Sequence, residues 1–315
     1  MKKLIYCALA LAAGLFAASC QQENLEPAGQ GDTVTYTVDV PGVVTKAIAD
    51  GKNVDRLFYE VYKTNAENTT DLSNAVLLSK KDIAMETSEE ATSRAIVTLN
   101  LAQNQYYTVL FWAQCGAEDQ GVYNVSNLKA VTYKDTTSME SNHENYAAFY
   151  ASDFISDSTP RNKKVYLERP FAQLNIGTKY TIDYDKDPYA IQMLESEVTV
   201  KKVPTVFNVA TSEVSGEEEF TFKMHDVLGD ELEVNGEPYK YVAMNYMFAG
   251  ENRTAEVTYT VNAEMKNQAG ATIENVELNK TIVNVPLKEN YRTNIVGNLL
   301  TSSTEYEVIV DADWV

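Results

Sequence analysis

Histidine, cysteine and clustered glycine are scarce in this 315-residue chain, and each shortage removes a class of chemistry. There are two histidines, His143 and His225, and three cysteines, at positions 7, 20 and 115. Neither histidine falls in a metal-binding spacing such as H-E-x-x-H. The 14 glycines form no phosphate-binding loop. Basic residues are outnumbered, 26 against 45 acidic ones, a balance that disfavours nucleic acid as a partner. Carboxylates are so abundant that no glycosidase pair stands out among them; Glu217-Glu218-Glu219 reads as a charged loop. Asp311-x-Asp313 near the C-terminus lacks the glycine and further ligands of a calcium loop. Cys115, in Trp112-Ala113-Gln114-Cys115-Gly116, has no cationic neighbour in sequence to lower its pKa and reads as a small buried hydrophobe. The expectation is a protein that is not an enzyme and that holds neither cofactor nor metal.

No run is long and apolar enough to span a bilayer. Met1-Lys2-Lys3 is a short basic segment, and Leu4–Ala18 is an apolar stretch of signal-peptide length. It ends in Ala17-Ala18-Ser19-Cys20, which resembles a lipobox. The resemblance implies a lipoprotein signal peptide over residues 1–19, acylation of Cys20 and a polar tether over residues 20–31; the alternative is a simple secretory signal cut after an A-x-A-like site, with an incidental cysteine. Gln21-Gln22-Glu23 loosely resembles the acidic signal that exports such lipoproteins to the outer face of the outer membrane. Removing residues 1–19 takes two lysines and no acids, leaving 24 basic and 45 acidic side chains, a net of −21. Cys7 leaves with the signal and Cys20 carries lipid, so Cys115 has no disulfide partner and the fold rests on its core.

That core reads as β-structure. Twenty tyrosines, with abundant Val and Thr, favour strands. Leu57–Tyr62 is apolar on both faces apart from Glu60. Ala95–Leu101 alternates and runs through Gln103-Asn104-Gln105 into Tyr106–Ala113, apolar on both faces as a central strand is; the short link predicts a hairpin. Asn142–Phe154 is compatible with a short helix. After a composition shift at Asp157–Arg161, a second series begins at Phe171–Gly177. It continues through Glu197–Val203, Phe220–Met224, Tyr239–Phe248 and Val257–Met265, with turns at Asn235-Gly236 and Ala269-Gly270. Tyr184–Leu194 is the best helix candidate there. Short strands at this spacing imply antiparallel sandwiches rather than βαβ units. The expected architecture is all-β, with one β-sandwich over residues 32–160 and another over 161–315.

Two strands attract functional readings. In Thr33–Asp50, Val34, Tyr36, Val38 and Val40 alternate with Thr33, Thr35, Thr37 and Asp39, the pattern of a half-buried strand. It runs into Pro41-Gly42 and then Lys46-Ala47, a bond suited to a trypsin-like protease. At the other end, Tyr306, Val308, Val310, Ala312 and Trp314 alternate with Glu305, Glu307, Asp311 and Asp313, interrupted by Ile309. Such a terminal strand can pair at home or add to another subunit's sheet edge. A different reading takes Tyr123, Tyr133, Tyr146 and Tyr150 as sugar-stacking residues of a surface glycan-binding lipoprotein, against the alternative that they plug the ends of a sandwich.

Val285–Thr301, VPLKENYRTNIVGNLLT, resembles the signature near the C-terminus of Bacteroides-type fimbrillins. Glu168-Arg169-Pro170-Phe171-Ala172-Gln173-Leu174 is similar to the arginine-led strand opening their second domain. Thr45-Lys46-Ala47 matches the loop after their first strand, with lysine where the family commonly has arginine. The resemblance implies an exported lipoprotein of two transthyretin-like antiparallel sandwiches, anchored to outer-membrane lipid through Cys20 at the cell surface. It implies that a trypsin-like protease cuts Lys46–Ala47 and removes the strand over residues 33–46. A strand from another fimbrillin subunit, with residues 305–315 as donor candidate, then fills the groove to build a type V pilus that serves adhesion. The signature itself suits a structural role: its Asn and Thr side chains can satisfy backbone groups at a sheet crossing, and Gly297 permits a bend or bulge.

Overall fold

The computed structural model describes residues 21–24, 31–41, 53–65, 70–87, 93–179, 189–224, 231–251, 253–300 and 305–312, nearly all of them strands and turns. The alternation of Thr33–Val40 is realised as the strand Gly31–Asp39, here the lead strand, which has one buried and one wetter face. It lies inside a sheet ordered Gln21–Asn24, Ser93–Ala102, Gly31–Asp39, Asn162–Tyr166, and the short strand Glu86–Thr87 also pairs with Ser93–Ala102. Opposite it stands an antiparallel sheet ordered Ala148–Ile155, Tyr106–Gln114, Arg56–Thr64, Val76–Ala84. Tyr36 of the first meets Phe111 of the second edge-to-face at 5.3 Å, within the range favoured by aromatic pairs.

The expected hairpin over 95–113 is not formed. Ser93–Ala102 and Tyr106–Gln114 lie in opposite sheets, so the link between them is an arch across the sandwich. Asn104 takes a left-handed conformation (φ 59°), and its N–H is held by Asp157 Oδ1 at 2.8 Å. The Tyr107 hydroxyl ties back to the carbonyl of Ala102. Three linking residues fit a hairpin or an arch equally well, and packing of this strand, buried from Tyr107 onward, against Arg56–Thr64 decides between them.

The second sandwich pairs a sheet ordered Met139–Ser141, Glu218–Met224, Tyr189–Val203, Arg253–Asn267, Thr272–Leu287 with one ordered Glu231–Val234, Glu237–Phe248, Phe171–Thr178, Arg292–Gly297, Tyr306–Asp311. Ser196 Oγ donates to the Val242 carbonyl at 2.8 Å, across the sheets. Asn235 and Gly236, both at positive φ (53° and 79°), close a two-residue hairpin as their sequence demands. The helix expected over Tyr184–Leu194 is corrected in its described part. Residues 189–194 begin the long strand Tyr189–Val203, paired from Tyr189 to Val200 with Arg253–Asn267 across one register shift after Met193. Its apolar spacing is overridden by that pairing. The short helix in Asn142–Phe154 is one 3₁₀ turn, Glu144–Tyr146, before the strand Ala148–Ile155.

Residues 115–146 leave the first sandwich to build on the second. Val131–Tyr133 pairs with Val206–Asn208, and Met139–Ser141 runs parallel to Glu218–Met224. The Asn142 N–H donates to the Met244 carbonyl, and the Asn142 side chain accepts from the Met244 N–H in return. Trp112 sits at the join with ring centroids 5.3 Å from Tyr123, 6.1 Å from Phe207 and 6.3 Å from Phe248. One continuous apolar core therefore runs through both sandwiches.

Candidate functional site: the lead strand, the terminal strand and the join

The lead strand is enclosed on both edges. It pairs antiparallel with Ser93–Ala102, from Gly31 opposite Ala102 to Asp39 opposite Arg94. On its other edge it runs parallel to Asn162–Tyr166. Val34, Tyr36, Val38 and Val40 are each 0% exposed. The Tyr36 hydroxyl donates to Asp153 Oδ2 at 2.8 Å, and Asp153 is also paired with Lys163 at 2.5 Å. Burial, then the neighbouring Asp153, push the Tyr36 hydroxyl far above its ordinary pKa, so it stays a donor. Asp39, on the polar face by sequence, is nevertheless buried. Arg94 grips it with two hydrogen bonds of 2.6 and 3.0 Å, and Lys164 adds a third contact at 2.9 Å. Burial acts to raise the Asp39 carboxyl, but these bonds outweigh it and hold the group below its ordinary range. Asp32 is ion-paired with Arg161 near the start of the strand. Cys20, Lys46 and Ala47 lie outside the described residues.

The terminal strand, Tyr306–Asp311, is bound at home. It pairs antiparallel with Arg292–Gly297 at the edge of its sheet. Tyr306 and Val308 pack partly on the main core, Ile309 packs on Leu232, Val234 and Val296 from the other face, and Val310 is 43% exposed. Ile309 thus breaks the alternation because both faces of this strand find apolar partners.

The signature positions this edge. Asn290, at φ 60°, directs its N–H to the Phe171 carbonyl. Thr293 Oγ1 donates to the Pro286 carbonyl at 2.6 Å, and the Asn294 side chain accepts from Asn175 Nδ2 at 2.8 Å. Gly297 acts by absence of a side chain rather than by a bend. A Cβ there would lie 2.7 Å from Tyr306 Cα and nearer still to the Glu305 carbonyl oxygen, both backbone atoms. Gly297→Ala is expected to force the terminal strand off its neighbour and destabilise the protein by about 1–3 kcal/mol. Limited proteolysis of the last residues checks this: cleavage at the wild-type rate would contradict it.

Tyr123, Tyr133, Tyr146 and Tyr150 are all buried and plug the join, with Tyr150 also lining a cleft there, so the sugar-stacking reading loses the exposed rings it needs. His143 Nε2 lies 3.3 Å from Glu140, and His225 is outside the described residues. Cys115 is half-buried, and burial followed by Asp55 raises its thiol, the opposite of an activated nucleophile. Glu217 pairs with Arg253, while Glu218 and Glu219 open a strand rather than a loop. Asp311 ends the terminal strand, and Asp313 lies outside the described residues.

The join also carries a feature the sequence does not announce. A cleft of about 940 Å³ lies between the two sandwiches, lined by residues of both, including Tyr150, Glu168, Ser212, Lys288, Glu289 and Tyr291. The Tyr150 hydroxyl donates to Glu289 Oε1 and lies 3.1 Å from Ser212 Oγ. Glu289 is pushed up from near 4.5 to about 7, first by burial. The Tyr150 bond opposes the rise, and Glu168 and Glu251 add to it. The unfolded chain loses this proton near pH 4.5 while the folded protein holds it to about 7, so stability falls as pH rises between the two and is level above. Because Glu289 is partly exposed, the effect is discounted to roughly 1–2 kcal/mol. Glu289→Gln is expected to flatten the dependence of melting temperature on pH from 4.5 to 8; an unchanged slope would contradict the assignment. The nearby Arg169 is buried, with its guanidinium 4.8 Å over the Phe149 ring, so the arginine that leads Phe171–Thr178 packs into the join.

With two sandwiches in tandem, an enclosed lead strand and an edge-bound terminal strand, the fold is fimbrillin-like. It matches a fimbrial protein from Bacteroides vulgatus ATCC 8482 with a TM-score of 0.53 at 12% identity, over 89% of this chain and 99% of that one. Weaker matches include a fimbrial assembly protein from Parabacteroides distasonis ATCC 8503 (TM-score 0.45, 12% identity, 89% of this chain and 95% of that one). The fimbrial anchor protein Mfa2 from Porphyromonas gingivalis is another (TM-score 0.40, 12% identity, 89% and 96%). By sequence, the chain belongs to the family described as a family of unknown function (DUF6562), whose model matches residues 27–315. No curated protein matches it in sequence.

Proposed function

We propose that this protein is a fimbrial or adhesion subunit of the cell surface, exported as a lipoprotein acylated at Cys20 and assembled by strand exchange. The observation that carries the reading is the lead strand. With Val40 just beyond its end, it contributes four fully buried apolar side chains to the first sandwich, yet it is joined to the rest of the chain through the segment holding Lys46–Ala47. The fimbrillin-like fold supports the same reading at the level of architecture.

On this reading the lead strand is provisional. A trypsin-like surface protease cuts after Lys46, and the groove between Ser93–Ala102 and Asn162–Tyr166 accepts an extended segment from the next subunit, with residues 305–315 as the donor. Burial of four valine- or tyrosine-sized side chains contributes on the order of 6–12 kcal/mol before entropy, enough to hold the lead strand until a replacement arrives. Main-chain hydrogen bonds on both edges set the register. The cluster of Arg94, Lys164 and Asp39 marks one end of the groove and favours a donor with a carboxylate there.

Trypsin-like cleavage of the folded monomer is expected to give polymers, and deletion of residues 305–315 is expected to abolish them. Size-exclusion chromatography and electron microscopy read the outcome. Cleaved protein with an intact C-terminus that stays monomeric would overturn the strand-exchange reading. The N-terminal residue of the surface form, acylated Cys20 or Ala47, reports processing directly.

A further inference from the structure

The peptide ahead of Lys46 touches Ser93–Ala102 on both edges, not one. The lead strand pairs with it antiparallel along its whole length. Residues Gln21–Asn24, expected to be a polar tether, form a strand on the opposite edge, parallel to it, with Gln21 opposite Val97 and Asn24 opposite Asn100. Glu86–Thr87 covers only the end of that edge, opposite Arg94 and Ser93. Six residues, 25–30, join the two arms.

We propose that residues 21–24 and 31–39 act as a two-armed clasp on Ser93–Ala102, which keeps the lead peptide seated after the chain is cut and leaves both edges of Ser93–Ala102 open, not one, when it departs. The inference rests on the strand-exchange reading for its purpose, but its geometry stands apart from it. An uncovered strand edge is a template for unwanted pairing. Here the edge outside the lead strand is closed by the same peptide that fills the groove, so both exposures begin together, at exchange. Linking the arms makes rebinding of either one intramolecular while the other holds, which slows loss of the whole peptide without any new apolar contact. The partner this acceptor fits is correspondingly an extended segment that fills the groove and is followed or joined by a second short strand for the outer edge.

Two measurements test the clasp on the mature chain with Cys20→Ser and Cys115→Ser. In the first, Gln22→Cys with Thr98→Cys, an opposed pair, is oxidised mildly beside Gln22→Cys with Asn100→Cys, two residues out of register. The opposed pair is expected to cross-link at least tenfold faster. In the second, the chain is cut after Lys46 and loss of peptide 20–46 is followed by size exclusion and mass spectrometry. It is compared with a variant carrying Gln22→Pro and Glu23→Pro, which removes a ladder N–H whichever residue supplies it. The peptide is expected to leave at least tenfold faster from the proline variant. Equal cross-linking in both cysteine pairs overturns the clasp, and so do equal release rates. If Lys46–Ala47 resists the protease, the processing reading fails and the cross-link alone decides the clasp.

Discussion

Val38→Asp is expected to prevent the protein from folding. Val38 is 0% exposed and stands in the lead strand between Ala95 and Val165 of its neighbours. The cations nearest in sequence register, Arg94 and Lys164, are already engaged by Asp39 on the opposite face. A carboxylate at 38 would thus be buried without a partner, which costs more than the lost valine contacts alone. Losses of more than about 4 kcal/mol come from a short list of mechanisms, and an unpaired buried charge is one of them. Thr37→Asp is the control, since Thr37 faces the other way and sits opposite Lys164; it is expected to shift stability by less than about 1 kcal/mol. Soluble yield and thermal melts of both variants check this. Normal yield of Val38→Asp would contradict the inward face and, with it, the groove on which strand exchange depends.

The contrast between those two positions shows what a linear pattern can carry. Alternation of Val34, Tyr36, Val38 and Val40 reports a face, and the face is where the structure puts it. The same logic places Val257, Tyr259, Val261 and Ala263 inside. Alternation does not report the partner. Nothing in Ala95–Ala113 says that its two strands join opposite sheets, because an arch and a hairpin need the same few linking residues. Nor does Asn162–Tyr166 reveal that it runs parallel to the lead strand, a pairing that couples residues over a hundred positions apart. Tyr189–Leu194 has a helix-like spacing that lost to a partner strand more than sixty residues away. Long-range pairing is decided by burial of surfaces the chain brings together late, and local spacing carries no record of it.

The same limit explains the site. The lead strand, the terminal strand and the signature were legible as segments, but Gly297 acts through the backbone of Glu305 and Tyr306 rather than by its own flexibility. Glu289 looks like one acid among 45 until Tyr150 is found against it. The tyrosines of the irregular region were ambiguous for a similar reason. A ring in a loop stacks on a sugar or plugs a core depending on what faces it, and here Phe248 and Phe220 face Tyr133 at 4.5 and 5.1 Å.

Trp112→Ala is expected to destabilise both sandwiches at once. The indole is fully buried at the join, between Tyr123 on the crossing segment and Phe207 and Phe248 of the second sandwich. Its Nε1 donates to Gln114 Oε1 at 2.9 Å, and Gln114 is itself 0% exposed. Truncation therefore leaves a cavity and an unmet buried acceptor together, a loss of about 3–5 kcal/mol. For sandwiches of this size that corresponds to a fall of roughly 10 °C in melting temperature. Trp112→Phe keeps most of the volume and separates the cavity from the hydrogen bond. Calorimetry distinguishes a coupled join from a loose one. If the halves were independent, the variant would lower one transition and leave another at the wild-type temperature. Because one core spans both, a single lowered transition is expected. That coupling matters for the proposed strand exchange: were the lead peptide withdrawn, Trp112 would still tie Tyr106–Gln114, whose Phe111 packs on Tyr36, to the second sandwich.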